Sequence, residues 1–210
     1  MMRILIADDH SVVRAGLKQI LLEAFKTAEI QEVTDAEELV KEALKGKWDV
    51  VITDLSMPGR SGLDALHQIK QQEPRLPVLI LSIHPEEQYA IRVLKAGAAG
   101  YLSKDMASEE LVSAVHRVLL GKKYISPSVA EKLAATLDLD DDKLPHEYLS
   151  DREFDVLKLI ASGKSITEIA TLLSLSPTTI STYRTRILSK LNMRNNADLI
   201  LYSLEHKLTP

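Results

Sequence analysis

Apolar residues along this chain switch between two spacings. Short, largely β-branched runs fall at Arg3–Ala7, Ile30–Val33, Val50–Asp54, Val78–Ser82 and Ala99–Leu102. Between them, apolar residues recur every three or four positions over Ser11–Phe25, Asp35–Leu44, Gly62–Gln72, Glu86–Ala96 and Ser108–Leu120. The first spacing predicts strands and the second helices. Residues 1–121 thus read as five βα units. The runs VVIT and VLIL are apolar on both faces, as a sheet covered on both sides requires. Right-handed crossovers then give a doubly wound, five-stranded parallel sheet of order 2-1-3-4-5, with strands 1 and 3 at its switch point. Asp35 with Glu38 reads as a capping box, Ser108 as a cap, and Gly97 and Gly121 as stops.

Beyond residue 121 the pattern changes. Residues 127–137 read as one helix with Pro127 at its start. Asp138–Glu147 is acidic, almost without apolar residues, and reads as a linker, so residues 122–147 join two domains. Residues 148–210 show only helical spacing. Ser150 with Glu153 opens one helix, which stops at Gly163. Ser165 with Glu168 opens a second, Ile166–Leu173. After the turn Ser174-Leu175-Ser176, Ser176 caps a third whose first residue is Pro177. Two short helices joined by three residues form a helix-turn-helix. A last helix is expected over Asn196–His206.

Charge separates the halves. Residues 1–148 hold 18 Lys+Arg and 24 Asp+Glu, a balance of −6, while residues 149–210 hold 8 and 6, a balance of +2. That asymmetry suggests different partners for the two parts. Cysteine is absent, which excludes disulfides and thiolate metal sites. The six histidines show no ligand spacing. No apolar run reaches the length of a membrane span, and Asp8 and Asp9 interrupt the first one where a signal peptide would continue. A cytoplasmic protein with no membrane partner is the expectation.

The predicted strand ends carry the chemistry. Asp8 and Asp9 follow strand 1, Asp54 closes strand 3, Ser82 closes strand 4 and Lys104 follows strand 5. In a parallel α/β sheet these ends share one edge, where ligands bind. Carboxylates and one ammonium converging there suit Mg²⁺ and a phosphoryl group. Asp9 and Asp54 would ligate the cation, Asp8 through a water, with the Ser56 backbone carbonyl as a further ligand. The Asp54 carboxylate could then attack phosphorus to form an aspartyl phosphate. Lys104 and Ser82 would meet the phosphoryl oxygens.

Asp8-Asp9, the string Asp54-Leu55-Ser56-Met57-Pro58-Gly59 with Gly62, Ser82 and Lys104 together resemble the receiver domain of two-component response regulators. The resemblance covers residues 3–121. It implies that Asp54 is the phosphoacceptor and that Ser82 and Tyr101 form a switch pair, with Tyr101 turning inward once phosphate draws in the Ser82 hydroxyl. Asp105 departs from the proline that often follows the lysine, which leaves the isomer of the Lys104–Asp105 bond open. Ser56 and His84 flank the pocket. The rival is a phosphatase of the haloacid dehalogenase type, which carries an acid two residues after its nucleophile. That position is Ser56, so enzymatic turnover is not expected beyond self-phosphorylation and slow loss of the phosphate. A metabolic α/β enzyme is disfavoured because no glycine-rich loop follows strand 1. A regulator working without phosphorylation stays open.

In the third C-terminal helix Ile180, Tyr183, Ile187 and Leu191 share one stripe. The opposite face holds Thr178, Ser181, Thr182, Thr185 and Ser189, with Arg186 and Lys190 on its shoulder. Small hydroxyl residues allow entry into a major groove, and Arg186, Lys190 and Arg194 are candidate phosphate contacts. The string from Leu149-Ser150-Asp151-Arg152-Glu153 through Leu175-Ser176-Pro177-Thr178-Thr179-Ile180 to Lys190-Leu191 resembles the LuxR-type DNA-binding domain. That resemblance implies duplex DNA as partner, and pairing of two domains through Ala197, Ile200, Leu201 and Leu204. Ser181 and Tyr183 replace the family's usual lysine and histidine, so base preference does not carry over. Taken together, the halves resemble a NarL/FixJ-type response regulator. A sensor histidine kinase would phosphorylate Asp54, and the phosphorylated chain would dimerise on promoter half-sites to regulate transcription. RNA polymerase is a further candidate partner.

Overall fold

The structure is a computed structural model that describes residues 1–57, 61–84, 86–131 and 144–208. The chain divides into two compact units, Met1–Ala134 and Ala135–Pro210. In the first, strands β1 (Arg3–Ala7), β2 (Glu29–Val33), β3 (Val50–Asp54), β4 (Val78–Ser82) and β5 (Gly100–Ser103) form one sheet. Its order is β2-β1-β3-β4-β5, parallel throughout, as the strand spacing predicts. β3 and β4 are buried at every position, whereas β2, at the edge, buries only Val33. Helices α1 (Ser11–Ala24), α2 (Ala36–Lys45), α3 (Gly62–Gln72), α4 (Glu86–Lys95) and α5 (Ala107–Leu119) alternate with the strands. Leu17 and Leu21 of α1 and Leu111, Ala114, Val115 and Val118 of α5 pack on Ile4, Ile6, Ile52 and Leu79 of the sheet.

Two capping expectations are corrected. Ser108 lies inside α5, because a 3₁₀ turn (Lys104–Met106) feeds directly into that helix and Ser103 caps the turn instead. Asp35 does cap α2, but the Glu38 carboxylate accepts from the Thr34 N–H rather than from Asp35. Of the helix expected over 127–137, residues 127–131 are helical and the rest lie outside the described residues, as do 138–143 of the acidic linker and Pro58-Gly59.

The second unit begins with a 3₁₀ turn (Pro145–Tyr148). It continues through α6 (Asp151–Ala161), α7 (Ile166–Leu172), α8 (Pro177–Lys190) and α9 (Asn196–Glu205). Ser150 with Glu153 and Ser165 with Glu168 are complete capping boxes, and the Ser176 hydroxyl caps α8. Phe154, Val156, Leu157, Ile160, Ile169, Ile180, Ile187 and Leu199 make its core. Among the described residues, no helix is long and apolar enough to cross a membrane.

Candidate functional site

The parallel sheet delivers Asp8, Asp54 and Lys104 to one point. The Lys104 ammonium lies 2.7 Å from Asp8 Oδ2 and 2.7 Å from Asp54 Oδ2. Both carboxylates are almost fully buried, and Asp9 is exposed beside them. Lys104 makes this reach from the first residue of the 3₁₀ turn, and the described residues contain no cis peptide bond. The other oxygens are held by main chain. Asp8 Oδ1 accepts the His10 N–H at 2.8 Å, and Asp54 Oδ1 accepts the Ser56 N–H at 3.1 Å. Gly62 closes the loop after Asp54: its N–H donates to the Leu55 carbonyl, and a Cβ there would lie 1.9 Å from the Asp54 carbonyl oxygen. Only glycine permits that approach.

Three carboxylates against one ammonium leave the pocket negative. Burial pushes the Asp54 carboxyl above its ordinary range, although Lys104 pulls it down. Burial alone would lower Lys104, but its contacts with the Asp54 and Asp8 carboxylates outweigh it and raise it. Asp8, Asp9, His10 and Asp54 each bring a ligand atom within 4.8 Å of the others. Lys104 meets Asp8 Oδ2 as an ion pair, and among the described residues that buried oxygen accepts no hydrogen bond. The oxygens of Asp8, Asp9 and Asp54 fit a hard divalent cation. His10, whose ring sits 2.9 Å from Asp9 and 3.2 Å from Asp8, was missed in the sequence. Its place directly after the acidic pair was the available signal.

Ser82 and Tyr101 meet at the backbone of one residue, His84, rather than at each other. The His84 N–H donates to Ser82 Oγ at 3.0 Å, and the Tyr101 hydroxyl donates to the His84 carbonyl at 2.8 Å. Tyr101 is buried, so the structure holds the inward position of the expected switch, fixed by that carbonyl. The His84 ring stacks on Tyr89 and lies 2.9 Å from Ser56 Oγ, at the mouth of the pocket.

In the second unit, Thr178, Ser181, Thr182, Thr185, Ser189 and Arg186 are exposed on α8, opposite the buried Ile180 and Ile187, and Arg194 is exposed just beyond. Lys190 differs from expectation. Its ammonium donates to the buried Glu153 carboxylate at 2.6 Å and to the Tyr148 carbonyl at 3.3 Å. It ties α8 to the cap of α6 rather than standing free for phosphate. On α9 the core contacts are Leu199 and Ser203. Ala197, Leu201 and Leu204 are exposed and Ile200 is half-buried, an apolar face turned outward.

Residues 4–116 match the family described as Response regulator receiver domain, and residues 147–203 match Bacterial regulatory proteins, luxR family. The chain is a NarL/FixJ-type response regulator. It is 36% identical over 209 residues to Response regulator UvrY of Escherichia coli strain K12, covering 99% of this chain and 96% of that one. Against Response regulator GacA of Pseudomonas aeruginosa the identity is 34% over 207 residues, covering 98% and 97%. The structure resembles RcsB from Salmonella enterica serovar Typhimurium bound to promoter rprA in the presence of phosphomimetic BeF₃⁻, with a TM-score of 0.64 at 29% identity over 96% of this chain and 98% of that one. An RcsB–DNA complex matches with a TM-score of 0.58 at 31% identity over 96% of each chain. As a response regulator of this family, the chain couples a receiver domain to a LuxR-type DNA-binding domain and acts in transcription regulation.

Proposed function

We propose that a sensor histidine kinase phosphorylates Asp54, and that the aspartyl phosphate controls dimerisation and promoter binding by α8. The observation that carries this reading is the position of Lys104, 2.7 Å from both Asp8 and Asp54 at the strand ends. An Asp54 carboxylate oxygen attacks the phosphorus of a phosphohistidine, the P–N bond breaks, and the imidazole leaves. Mg²⁺ bound by Asp8, Asp9, Asp54 and the Ser56 carbonyl would supply neutralisation of charge on carboxylate and phosphoryl oxygens. Such a transfer depends on positioning and electrostatics more than on acid–base groups. Lys104 exchanges Asp54 for a phosphoryl oxygen, and the Ser82 hydroxyl donates to another. Ser82 thereby pulls on the amide of His84, the residue whose carbonyl accepts from Tyr101. The phosphoryl group carries about −2 where the carboxylate carried −1, and the added negative charge biases that element between two arrangements. No side-chain acid stands at position 56 to drive repeated turnover, which supports a phosphoprotein rather than an enzyme. The face of Ala197, Ile200, Leu201 and Leu204 supports pairing of two domains on DNA half-sites. A histidine kinase, duplex DNA, a second copy of this chain and RNA polymerase are the partners of this reading, and the cytoplasm its compartment.

Intact mass after incubation with acetyl phosphate and Mg²⁺ tests it. One phosphoryl adduct is expected on the wild type and none on Asp54→Asn, with DNA retention rising only on the wild type. Equal adduct on Asp54→Asn would remove Asp54 as acceptor.

A further inference from the structure

Three hydroxyls on the face of α8 that would meet DNA are bonded to the helix's own backbone. Ser181 Oγ donates to the Pro177 carbonyl at 2.9 Å, Thr182 Oγ1 to the Thr178 carbonyl at 3.0 Å, and Thr185 Oγ1 to the Ser181 carbonyl at 3.0 Å. All three side chains are exposed, and Thr185 lies three residues from Thr182 and four from Ser181, on the face opposite Ile180 and Ile187. Each hydroxyl has a single proton, and here the helix backbone takes it. What remains outward is an oxygen lone pair, together with the γ-methyl of each threonine.

We propose that α8 reads A·T base pairs, through Thr182 and Thr185 methyl contacts with thymine and through hydroxyl oxygens of the same face accepting from adenine N6. Duplex DNA as ligand rests on the function proposed above and on the domain's family, not on this face alone. The base preference follows from counting bonds. Accepting from adenine N6–H or cytosine N4–H adds a hydrogen bond and breaks none. Donating to guanine O6 or N7 requires the proton that the helix carbonyl already holds, so one bond is exchanged for another. Thymine alone offers a methyl group for the threonine methyl to cover. An A·T pair therefore satisfies both the oxygen and the methyl, a C·G pair only the oxygen. The side chains that pair bidentately with bases are lysine or arginine for guanine and asparagine or glutamine for adenine, and none of these four is among Thr178, Ser181, Thr182 and Thr185. Arg186 sits at the shoulder of this face.

Selection of a bound site from a random duplex pool, with the full chain in acetyl phosphate and Mg²⁺, is the first step. Each thymine of the selected half-site is then replaced by deoxyuridine, which deletes only the methyl. Loss of about three- to fivefold in affinity per contacted methyl is expected on the wild type. The same replacement should have no effect at the matching position with Thr182→Ser or Thr185→Ser, which keep the hydroxyl. Thr182→Val, which keeps the methyl, should retain the sensitivity. A half-site read at G·C pairs, or uracil replacements that all leave affinity unchanged, would overturn the proposal while leaving DNA binding intact. Failure to enrich any sequence would overturn the DNA-binding reading itself, and this one with it.

Discussion

Lys190 donates to the buried carboxylate of Glu153 at 2.6 Å, across 37 residues of sequence. Glu153 is also the partner of Ser150 in the capping box that starts α6, so one side chain fastens a helix start and a helix end. Removing the ammonium leaves the buried carboxylate without its counter-ion, although the Ser150 N–H still donates to the same oxygen. Lys190→Met is expected to destabilise the second unit by about 1–3 kcal/mol. Arg186→Ala, fully on the surface, should change stability by less than about 0.5 kcal/mol but weaken DNA binding and its salt dependence. Thermal unfolding and salt-titrated DNA retention of both variants check the contrast. A Lys190→Met protein with unaltered stability would return that residue to the phosphate contacts.

The same pair sets an acid sensitivity. Burial pushes Glu153 up, but the hydrogen bonds from Lys190 and Ser150 outweigh it and hold the carboxyl below its ordinary value of 4.5. A depressed folded-state value means that the unfolded chain binds the proton first. The stabilisation is therefore complete above that ordinary value and is lost as pH falls through the folded-state one. The protection of amides in α6 and α8 relative to their intrinsic exchange rates should fall over this acid window in the wild type. Glu153→Gln should be less stable at neutral pH and show a flatter dependence there.

Gly62 is expected to tolerate no substitution. In Gly62→Ala the new Cβ would fall 1.9 Å from the Asp54 carbonyl, and backbone cannot yield cheaply. A cost of about 1–3 kcal/mol or more is expected, with reduced phosphoryl adduct because Asp54 itself is displaced. Melting temperature and intact mass on the same sample separate the two effects. An alanine variant with normal melting and normal adduct would show that the loop has another place to go.

Ser203 runs the other way. It is fully buried on α9, and among the described residues its hydroxyl has no hydrogen-bond partner. Ser203→Ala removes a stranded polar atom and adds a better helix former. The second unit should gain about 1 kcal/mol, read as a higher melting temperature. A lower one would mean that the hydroxyl is satisfied in solution.

The strand-end chemistry was legible because parallel βα units place every strand end on one edge. Once five strands were read, Asp8, Asp54, Ser82 and Lys104 had to converge. The caps at Asp35, Ser150, Ser165 and Ser176 were legible because they are local. What was not legible is contact between distant side chains. Nothing in spacing reveals that Lys190 is drawn to Glu153, or that Ser56 meets His84. The start of α5 was misplaced for a different reason: the 3₁₀ turn at Lys104–Met106 carries the chain into the helix without a side-chain cap. The inward place of Tyr101 depends on a main-chain carbonyl, which every residue type offers at position 84 and which no residue letter records.

The link between Ser82 and Tyr101 runs through the amide and carbonyl of residue 84, while the imidazole of His84 faces Ser56 and Tyr89. Backbone and side chain of one residue thus serve two different jobs. Substitution at position 84 can therefore change the mouth of the pocket while the backbone contacts to Ser82 and Tyr101 stay in place.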